Sequence, residues 1–347
     1  MFYSAMSLLY ALLSGEHLSL PIAELKGILE SEGIAYKIIN VYDQLLLFES
    51  KLNAVNRILQ RAGLIKEVGL ILKIMESDIN VICREVKEID WSFIDDTFKV
   101  ELKRLRGHGK YIKENELIDI IAGTIIKHTR QRVNLVNPKY TVKLTLTNGL
   151  AFLGLELGKL NTKQFLLRRP DKRPYFHPGA LPPHICRVFV NLSRPKHNCP
   201  YLDPFCGTGG FLIEACLMGY YSIGSDIDLR MVEGARINLK YYNLNNYEII
   251  QADAARLPYT DTICAIGTDP PYGRSTSTKG RRLQELLEGF ICTASEVLKK
   301  GSYVCFATPH TIDVEDSIKQ FGMILREKHF MRVHGSLTRV IWLAYKP

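Results

Sequence analysis

Asp203-Pro204-Phe205-Cys206-Gly207-Thr208-Gly209-Gly210 follows the short apolar run Tyr201-Leu202 and precedes a helical pattern over about 210–217. Glycines in such a strand-to-helix turn let the backbone pass close to a ligand, and the start of the helix aims unpaired N–H groups at it. A turn of this kind does not by itself name the ligand. Phosphate is disfavoured, because no Lys or Arg accompanies the turn and no G-x-x-x-x-G-K-[ST] run occurs in the chain.

The alternation of strand and helix continues downstream. The spacing predicts strands over 221–225, 247–251, 265–268 and 303–308, helices over 185–191 and 229–241, and further helices between the later strands. Strands separated in this way form a parallel sheet with helices on both faces, so the expected fold of 184–347 is α/β, a doubly wound, Rossmann-like domain. Ligands of such sheets sit at the carboxyl ends of the strands. Three strand ends there carry an acid: Asp203, Asp226 in Gly224-Ser225-Asp226-Ile227-Asp228, and Asp253 in Gln251-Ala252-Asp253-Ala254. Singly, each is as ordinary as a helix cap. Together they mark one crevice, with Asp226 placed to accept from a ribose diol and Asp253 from an adenine amino group.

The fourth strand runs into Thr268-Asp269-Pro270-Pro271-Tyr272-Gly273. An exocyclic base amine is a poor nucleophile, since its lone pair is delocalised into the ring. A carboxylate and a backbone carbonyl accepting its two N–H groups would enrich and aim it. Pro270 brings no competing N–H, Pro271 stiffens the loop, and Tyr272 offers a flat face to an extruded base. The candidate catalytic residues are therefore Asp269, Pro270 and Tyr272.

Composition sets bounds on the rest. A chain of 347 residues is long enough for two or three folding units, and 46% hydrophobic residues exclude a disordered chain. No apolar run nears the roughly 18 residues of a membrane span. Residues 117–126 come nearest and are interrupted by Asp119. The apolar start, 1–13, lacks a basic flank and a small-residue cleavage site, so a strand and a cytoplasmic location are expected. Eight cysteines stand without any C-x2-C pair, and several lie in apolar runs; neither a metal site nor a disulfide is expected.

The net charge of +9 favours a polyanionic partner. Three clusters carry it before residue 175: Lys103, Arg104, Arg106, Lys110 and Lys113; Lys127, Arg130, Arg132, Lys139 and Lys143; and Lys163, Arg168, Arg169, Lys172 and Arg173. They suggest a nucleic-acid surface in the N-terminal half. That half reads as α+β: an apolar strand to Leu13, a helix opened by Leu18-Ser19-Leu20-Pro21, strands near 34–39 and 45–48, a helix over 115–132, and a hairpin of 140–146 and 151–155 turned by Thr147-Asn148-Gly149.

With those residues in view, the chain resembles the archaeal THUMP-domain tRNA methyltransferases that act on N2 of guanosine 10. The resemblance rests on 203–210, 224–228, Asp253 and the run Asp269-Pro270-Pro271-Tyr272-Gly273-Arg274-Ser275-Thr276-Ser277-Thr278, together with 168–179 and Val190-Asn191-Leu192. It extends to Leu13-Ser14-Gly15-Glu16-His17 with Leu20-Pro21-Ala23-Glu24-Leu25. It implies a ferredoxin-like unit over 1–50, a THUMP RNA-binding domain over 51–157, a linker over 158–183, and a class I methyltransferase domain over 184–347. It implies S-adenosylmethionine as cofactor, held by Asp203, Gly207 and Gly209, by Asp226 at the ribose and Asp253 at the adenine. Phe205, Thr208, Ile227 and Ala254 complete the candidate cofactor site, and Cys206 is not carried over. The implied substrate and partner is tRNA, with mono- and then dimethylguanosine as product. No protein partner is indicated. An amino methyltransferase acting on adenine or cytosine in DNA or another RNA is the alternative reading, and a non-catalytic RNA-binding protein the next.

Overall fold

The computed structural model describes residues 6–272, 283–334 and 337–347. Residues 1–5 of the expected first strand, and 273–278 of the run that begins at Asp269, lie outside the described residues. The chain forms two compact units: residues up to 15, 34–59 and 65–160; and residues 16–33, 60–64 and 161–347.

The first unit contains strands β1 (Ser7–Leu13), β2 (Tyr36–Tyr42), β3 (Leu45–Ser50), β4 (Ile65–Glu76), β5 (Phe98–Arg104), β6 (Tyr140–Thr147) and β7 (Leu150–Lys159). They form one sheet in the order β2-β3-β1-β4-β7-β6-β5, in which only the β5–β6 pair is parallel. The expected hairpin joins β6 to β7, with Asn148 at φ 50° and Gly149 at φ 75°, the pair of left-handed residues a two-residue turn needs. Of the helices, α1 (Leu20–Ser31) belongs to the second unit, and α2 (Ala54–Arg61) runs across the boundary. Helices α3 (Ile79–Lys87) and α4 (Glu114–Thr129) share a core with the sheet, built on Trp91, Phe98, Ile82, Leu117, Ile121, Val142 and Leu144, all fully buried. Helix α4 stops before the expected 132 because Arg130 turns left-handed at φ 61° and its N–H closes back on the carbonyl of Ile126 at 2.8 Å.

In the second unit the sheet consists of β8 (Tyr201–Asp203), β9 (Ser222–Asp226), β10 (Tyr247–Gln251), β11 (Ile263–Thr268), β12 (Leu298–Pro309), β13 (Ile324–His334) and β14 (Leu337–Lys346), ordered β10-β9-β8-β11-β12-β14-β13. The first five run parallel and β14 is antiparallel to both neighbours, so this is the expected α/β, doubly wound, Rossmann-like domain. Its strand order reverses between β8 and β11, which opens a crevice there. Its helices are α5 (Lys163–Leu167), α6 (Pro183–Leu192), α7 (Gly210–Leu217), α8 (Leu229–Tyr241), α9 (Leu283–Val297) and α10 (Glu315–Gln320).

Helix α1 packs with α6: Leu20 and Ala23 lie in one core with Leu64, Val188 and Phe189. Gly27 meets the Asn191 carbonyl so closely that a Cβ would stand 2.4 Å from it. The buried Glu24 carboxylate accepts from the N–H groups of Gly63 and Leu64, at 2.6 and 2.8 Å, and from Asn191 Nδ2 at 2.9 Å. Three donors converge on a fully buried acid, which is how a carboxylate is tolerated in a core. These contacts, and not chain order, decide where α1 belongs.

Two expectations need correction. Cys199 and Cys264 form a disulfide, with Cα atoms 5.8 Å apart. Cysteine spacing in the sequence could not show this, because the two are brought together by the adjacency of β8 and β11, where Cys264 N–H bonds the Pro200 carbonyl at 3.0 Å. The third basic cluster is a surface only in part, with Lys163, Arg169 and Lys172 exposed. Arg168 and Arg173 are buried, and Arg168 grips Glu214 of α7 through two hydrogen bonds of 2.8 and 3.0 Å. Arg187 of α6 bonds the same fully buried carboxylate at 2.8 Å. From the first two clusters, Arg106, Lys110, Lys113, Lys127, Arg130 and Arg132 are exposed, whereas Lys143 is buried against Glu67, Glu101 and Glu156.

Candidate active site

The four strand ends that carry an acid meet in one cleft of ≈ 470 Å³. Eight of the twelve candidate residues line it: Phe205, Gly207, Thr208, Asp226, Ile227, Asp253, Ala254 and Asp269. Asp203, Gly209, Pro270 and Tyr272 are not among its lining residues, while Pro271 and Leu286, which were not candidates on sequence, are.

Each wall has a local cause. At the turn after β8, Gly209 caps α7 with φ 82°, a left-handed conformation that favours glycine, and a Cβ there would lie 2.9 Å from Leu239 Cδ1. Asp226 stabilises that turn from the next strand: its Oδ2 accepts from Gly207 N–H at 3.0 Å and its Oδ1 from Asp228 N–H at 2.9 Å. Asp253 caps its own turn by accepting from Ala255 N–H at 3.0 Å. Phe205 stands edge-on to Phe290 with ring centres 5.4 Å apart, so its ring is braced by α9.

Asp203 is wholly buried. It accepts from Thr268 Oγ1 at 2.6 Å and from Phe205 N–H at 3.3 Å, yet burial, together with the charges of Asp226 and Asp269, pushes its carboxyl up to about 8. Its second oxygen, Oδ2, has no hydrogen-bond partner. The same is true of both terminal nitrogens of buried Arg173, whose Nη1 stands 3.3 Å from where a Cβ on cleft-lining Gly210 would sit. An orphaned acid and an orphaned guanidinium thus flank the glycine-rich turn. A zwitterionic amino-acid end carries the complementary pair of charges, and the ribose and adenine acceptors follow at Asp226 and Asp253, so the residues present fit S-adenosylmethionine.

Residues 175–181, expected to be linker, form the wall opposite: Tyr175, His177, Pro178, Gly179, Ala180 and Leu181 all line the cleft. Asn238 of α8 fixes that segment. Its Oδ1 accepts from Tyr175 N–H and its Nδ2 donates to the carbonyls of Tyr175 and Thr208, each at 2.9 Å. The Tyr175 ring lies so close on α8 that only glycine fits at 234, where a Cβ would be 2.3 Å from Cδ1.

At the end of β11, Asp269 is held by two partners. Tyr272 donates its hydroxyl hydrogen to Oδ1, and Arg339 of β14 stands 3.3 Å from Oδ2. The Arg339 Nε–H also donates to the Tyr272 hydroxyl oxygen at 2.8 Å. Burial raises the Asp269 pKa, against the pull of Arg339 and the Tyr272 hydrogen bond. Tyr272 is raised well above the ordinary phenol value by burial and then by the Asp269 charge, so it stays a donor. Sequence reasoning found the loop but missed Arg339 and Arg173. No motif marks Arg339, and in the sequence Arg173 is indistinguishable from the other cations of its cluster.

Residues 170–341 match the family model described as RMKL-like, methyltransferase domain, and residues 76–156 match the THUMP domain model. A tRNA (guanine(10)-N2)-dimethyltransferase of Methanothermobacter thermautotrophicus is 38% identical over 332 residues, spanning 95% of this chain and 97% of the relative. The chain belongs to the tRNA (guanine(10)-N2)-dimethyltransferase family. A further member, from Methanocaldococcus jannaschii, is 33% identical and spans 92% of this chain and 96% of its own. The crystal structure of TrmN from Thermus thermophilus superposes with a TM-score of 0.56 at 18% identity, covering 99% of this chain and 100% of that one, a likeness of fold.

Proposed function

We propose that this protein is an S-adenosylmethionine-dependent tRNA guanine N2-methyltransferase that modifies guanosine 10 and carries it to the dimethyl form. The observation that carries the reading is the meeting of Asp226, Asp253 and Asp269 on one cleft, with Asp203 buried beside it, in a chain that matches a member of this family over 97% of that relative's length. Asp226 is the acceptor for the ribose diol and Asp253 for the adenine amine. Phe205, Thr208, Ile227 and Ala254 enclose them, and Gly207 and Gly209 shape the turn. Asp203 Oδ2 and the Arg173 guanidinium are the groups left for the ammonium and carboxylate of the methionine end. Bound there, the cofactor supplies a sulfonium methyl group that needs no acid to leave.

The remaining work is positioning. Asp269 accepts an N–H of the guanine N2 amine and the Pro270 carbonyl accepts the other, which turns the nitrogen lone pair toward the donor. Methyl transfer to N2 would leave a surplus proton there, which Asp269 would accept and pass to solvent. Tyr272 carries the extruded base on its ring. Because an N2-methylguanine still bears one N–H for Asp269, a second round uses the same acceptor.

We assign tRNA docking to the exposed cations of the THUMP-bearing unit, Arg106, Lys110, Lys113, Lys127, Arg130 and Arg132, as phosphate contacts. We retain a THUMP domain within 51–157 and count α1 and the 161–183 segment with the catalytic domain, on the packing described above. Action on tRNA is in keeping with a cytoplasmic location. Among the described residues no helix is long and apolar enough to cross a membrane. Nucleoside mass spectrometry of unmodified tRNA incubated with the protein and S-adenosylmethionine tests the reading. N2-methylguanosine and N2,N2-dimethylguanosine at position 10 are expected, and methylated adenosine or cytidine instead would overturn it.

A further inference from the structure

Arg339 lies 70 positions beyond the catalytic aspartate in sequence, on a strand antiparallel to its neighbours, and no motif includes it. It nevertheless makes three contacts with the loop after β11: Nη2 to Asp269 Oδ2 at 3.3 Å, Nε–H to the Tyr272 hydroxyl at 2.8 Å, and its guanidinium carbon 5.2 Å from the centre of the Tyr272 ring. It is itself about nine-tenths buried. A planar fork of this kind fixes two partners at once, which a flexible ammonium cannot do.

The geometry points to Arg339 as a positioning residue for methyl transfer: it locks Asp269 and Tyr272 into one rigid unit, sets a cation against the carboxylate, and covers one side of the Tyr272 ring so that the target base stacks on the other. This inference rests on the reading of Asp269 and Tyr272 given above. Its chemistry follows from burial. A carboxylate drawn out of water prefers its proton, and a protonated Asp269 cannot accept both an N–H and the departing proton. Among the described residues the groups that face it are Arg339 from β14, Tyr272 from its own loop, Asp203 from β8 and Cys186 from α6. Asp203 can only raise its pKa, Cys186 stays a neutral thiol, and Arg339 is the cation that lowers it. The guanidinium also completes a circuit in which the Tyr272 hydroxyl receives from Arg339 and gives to Asp269, so the ring cannot swing without breaking both bonds. Positional error on the scale of ~1 Å at such a loop can cost on the order of 100-fold in rate.

The test compares Arg339→Met with Arg339→Lys on the full chain, with turnover on tRNA followed against pH and S-adenosylhomocysteine affinity measured by calorimetry. Arg339→Met is expected to lose about 100-fold in kcat with the KM for tRNA and the S-adenosylhomocysteine affinity unchanged. Its acidic limb should move to higher pH by about one unit or more, since a neighbouring opposite charge is worth that much to a carboxylate. Arg339→Lys keeps the charge, so its acidic limb should stay at the wild-type position while kcat falls for want of the fork. Wild-type kcat in either variant would overturn the inference, as would a loss in Arg339→Met with an unmoved acidic limb or with a parallel loss of S-adenosylhomocysteine affinity. Should Arg339→Met not fold, as judged by thermal melting, the Lys variant decides alone. If the wild type itself forms no N2-methylguanosine, the reading of the site fails before that of Arg339 is reached.

Discussion

Replacing Asp203 by Asn should stabilise the protein without ligand and cripple its hold on the cofactor. The side chain is fully buried, and its carboxyl is pushed from the ordinary 3.8 up to about 8 by burial and by Asp226 and Asp269. Between those two values the unfolded chain has released this proton and the folded chain still holds it. Wild-type stability must therefore fall as pH rises, at ~1.4 kcal/mol per pH unit for one proton. From pH 5 to pH 7.5 that amounts to roughly 3 kcal/mol attributable to this residue alone. Asn has no proton to lose, and its Oδ1 can still accept from Thr268 Oγ1, which lies 2.6 Å from the Asp203 oxygen. The excess stability of Asp203→Asn over wild type should thus be small near pH 5 and widen steadily toward pH 7.5, and the midpoint of the transition that S-adenosylhomocysteine shifts in the wild type is the quantity to follow. Added S-adenosylhomocysteine should raise that midpoint strongly in the wild type and weakly in the variant, because the Asp203 carboxyl can give up its proton and face the ammonium as a carboxylate, which an amide cannot do. A stability difference that stays flat across the pH range would refute the burial argument, and an undiminished ligand shift would refute the role assigned to Asp203.

Asp269→Ala should abolish turnover while leaving tRNA affinity nearly intact in filter binding, since the loop holds one base and the basic unit many phosphates; an equal loss of affinity would count against that division. Arg173→Met should weaken S-adenosylhomocysteine binding by at least about tenfold, as loss of a charge-assisted bond does. It should leave 5′-methylthioadenosine, which has no amino-acid end, bound as in the wild type, and calorimetry with both ligands separates the two. Glu214→Gln leaves Arg168 and Arg187 without the carboxylate they share, and should cost about 3–5 kcal/mol of stability in chemical denaturation, the usual consequence of stranding buried charge.

Much of the catalytic fold is legible in the sequence because its signals are local. Four of the five parallel strands run into an acid, at Asp203, Asp226, Asp253 and Asp269, and such short runs survive being read without their surroundings. Arg339 is the opposite case: its role exists only because β14 inserts between β12 and β13 and returns its first residues to the β11 loop. Arg168 and Arg173 counted as surface charge because composition says nothing about exposure; what buries them is Glu214 and the turn at Gly210, some 40 residues on. The disulfide between Cys199 and Cys264 is hidden for the same reason, since pairing across adjacent strands has no spacing rule. The 175–181 segment reads as linker because it lies within the basic, proline-rich stretch 158–183, yet its backbone runs along the cleft wall.

The placement of α1 has a consequence for how this protein is made. A chain emerging from the ribosome presents residues 20–31 early, and α6, which receives them, comes only after the whole of the first unit. The catalytic unit is therefore a discontinuous fold that must close over an insertion, and its earliest helix waits, apolar face exposed, until its partner is synthesised. The first unit, its sheet packed against α3 and α4, is complete in sequence by residue 160 and can form while translation continues. It also follows that a fragment beginning at 158 would lack Leu20, Ala23 and the Glu24 carboxylate that ties 63–64 to Asn191. A minimal catalytic chain would have to be spliced from 16–33, 60–64 and 161–347, the three segments that fold as one.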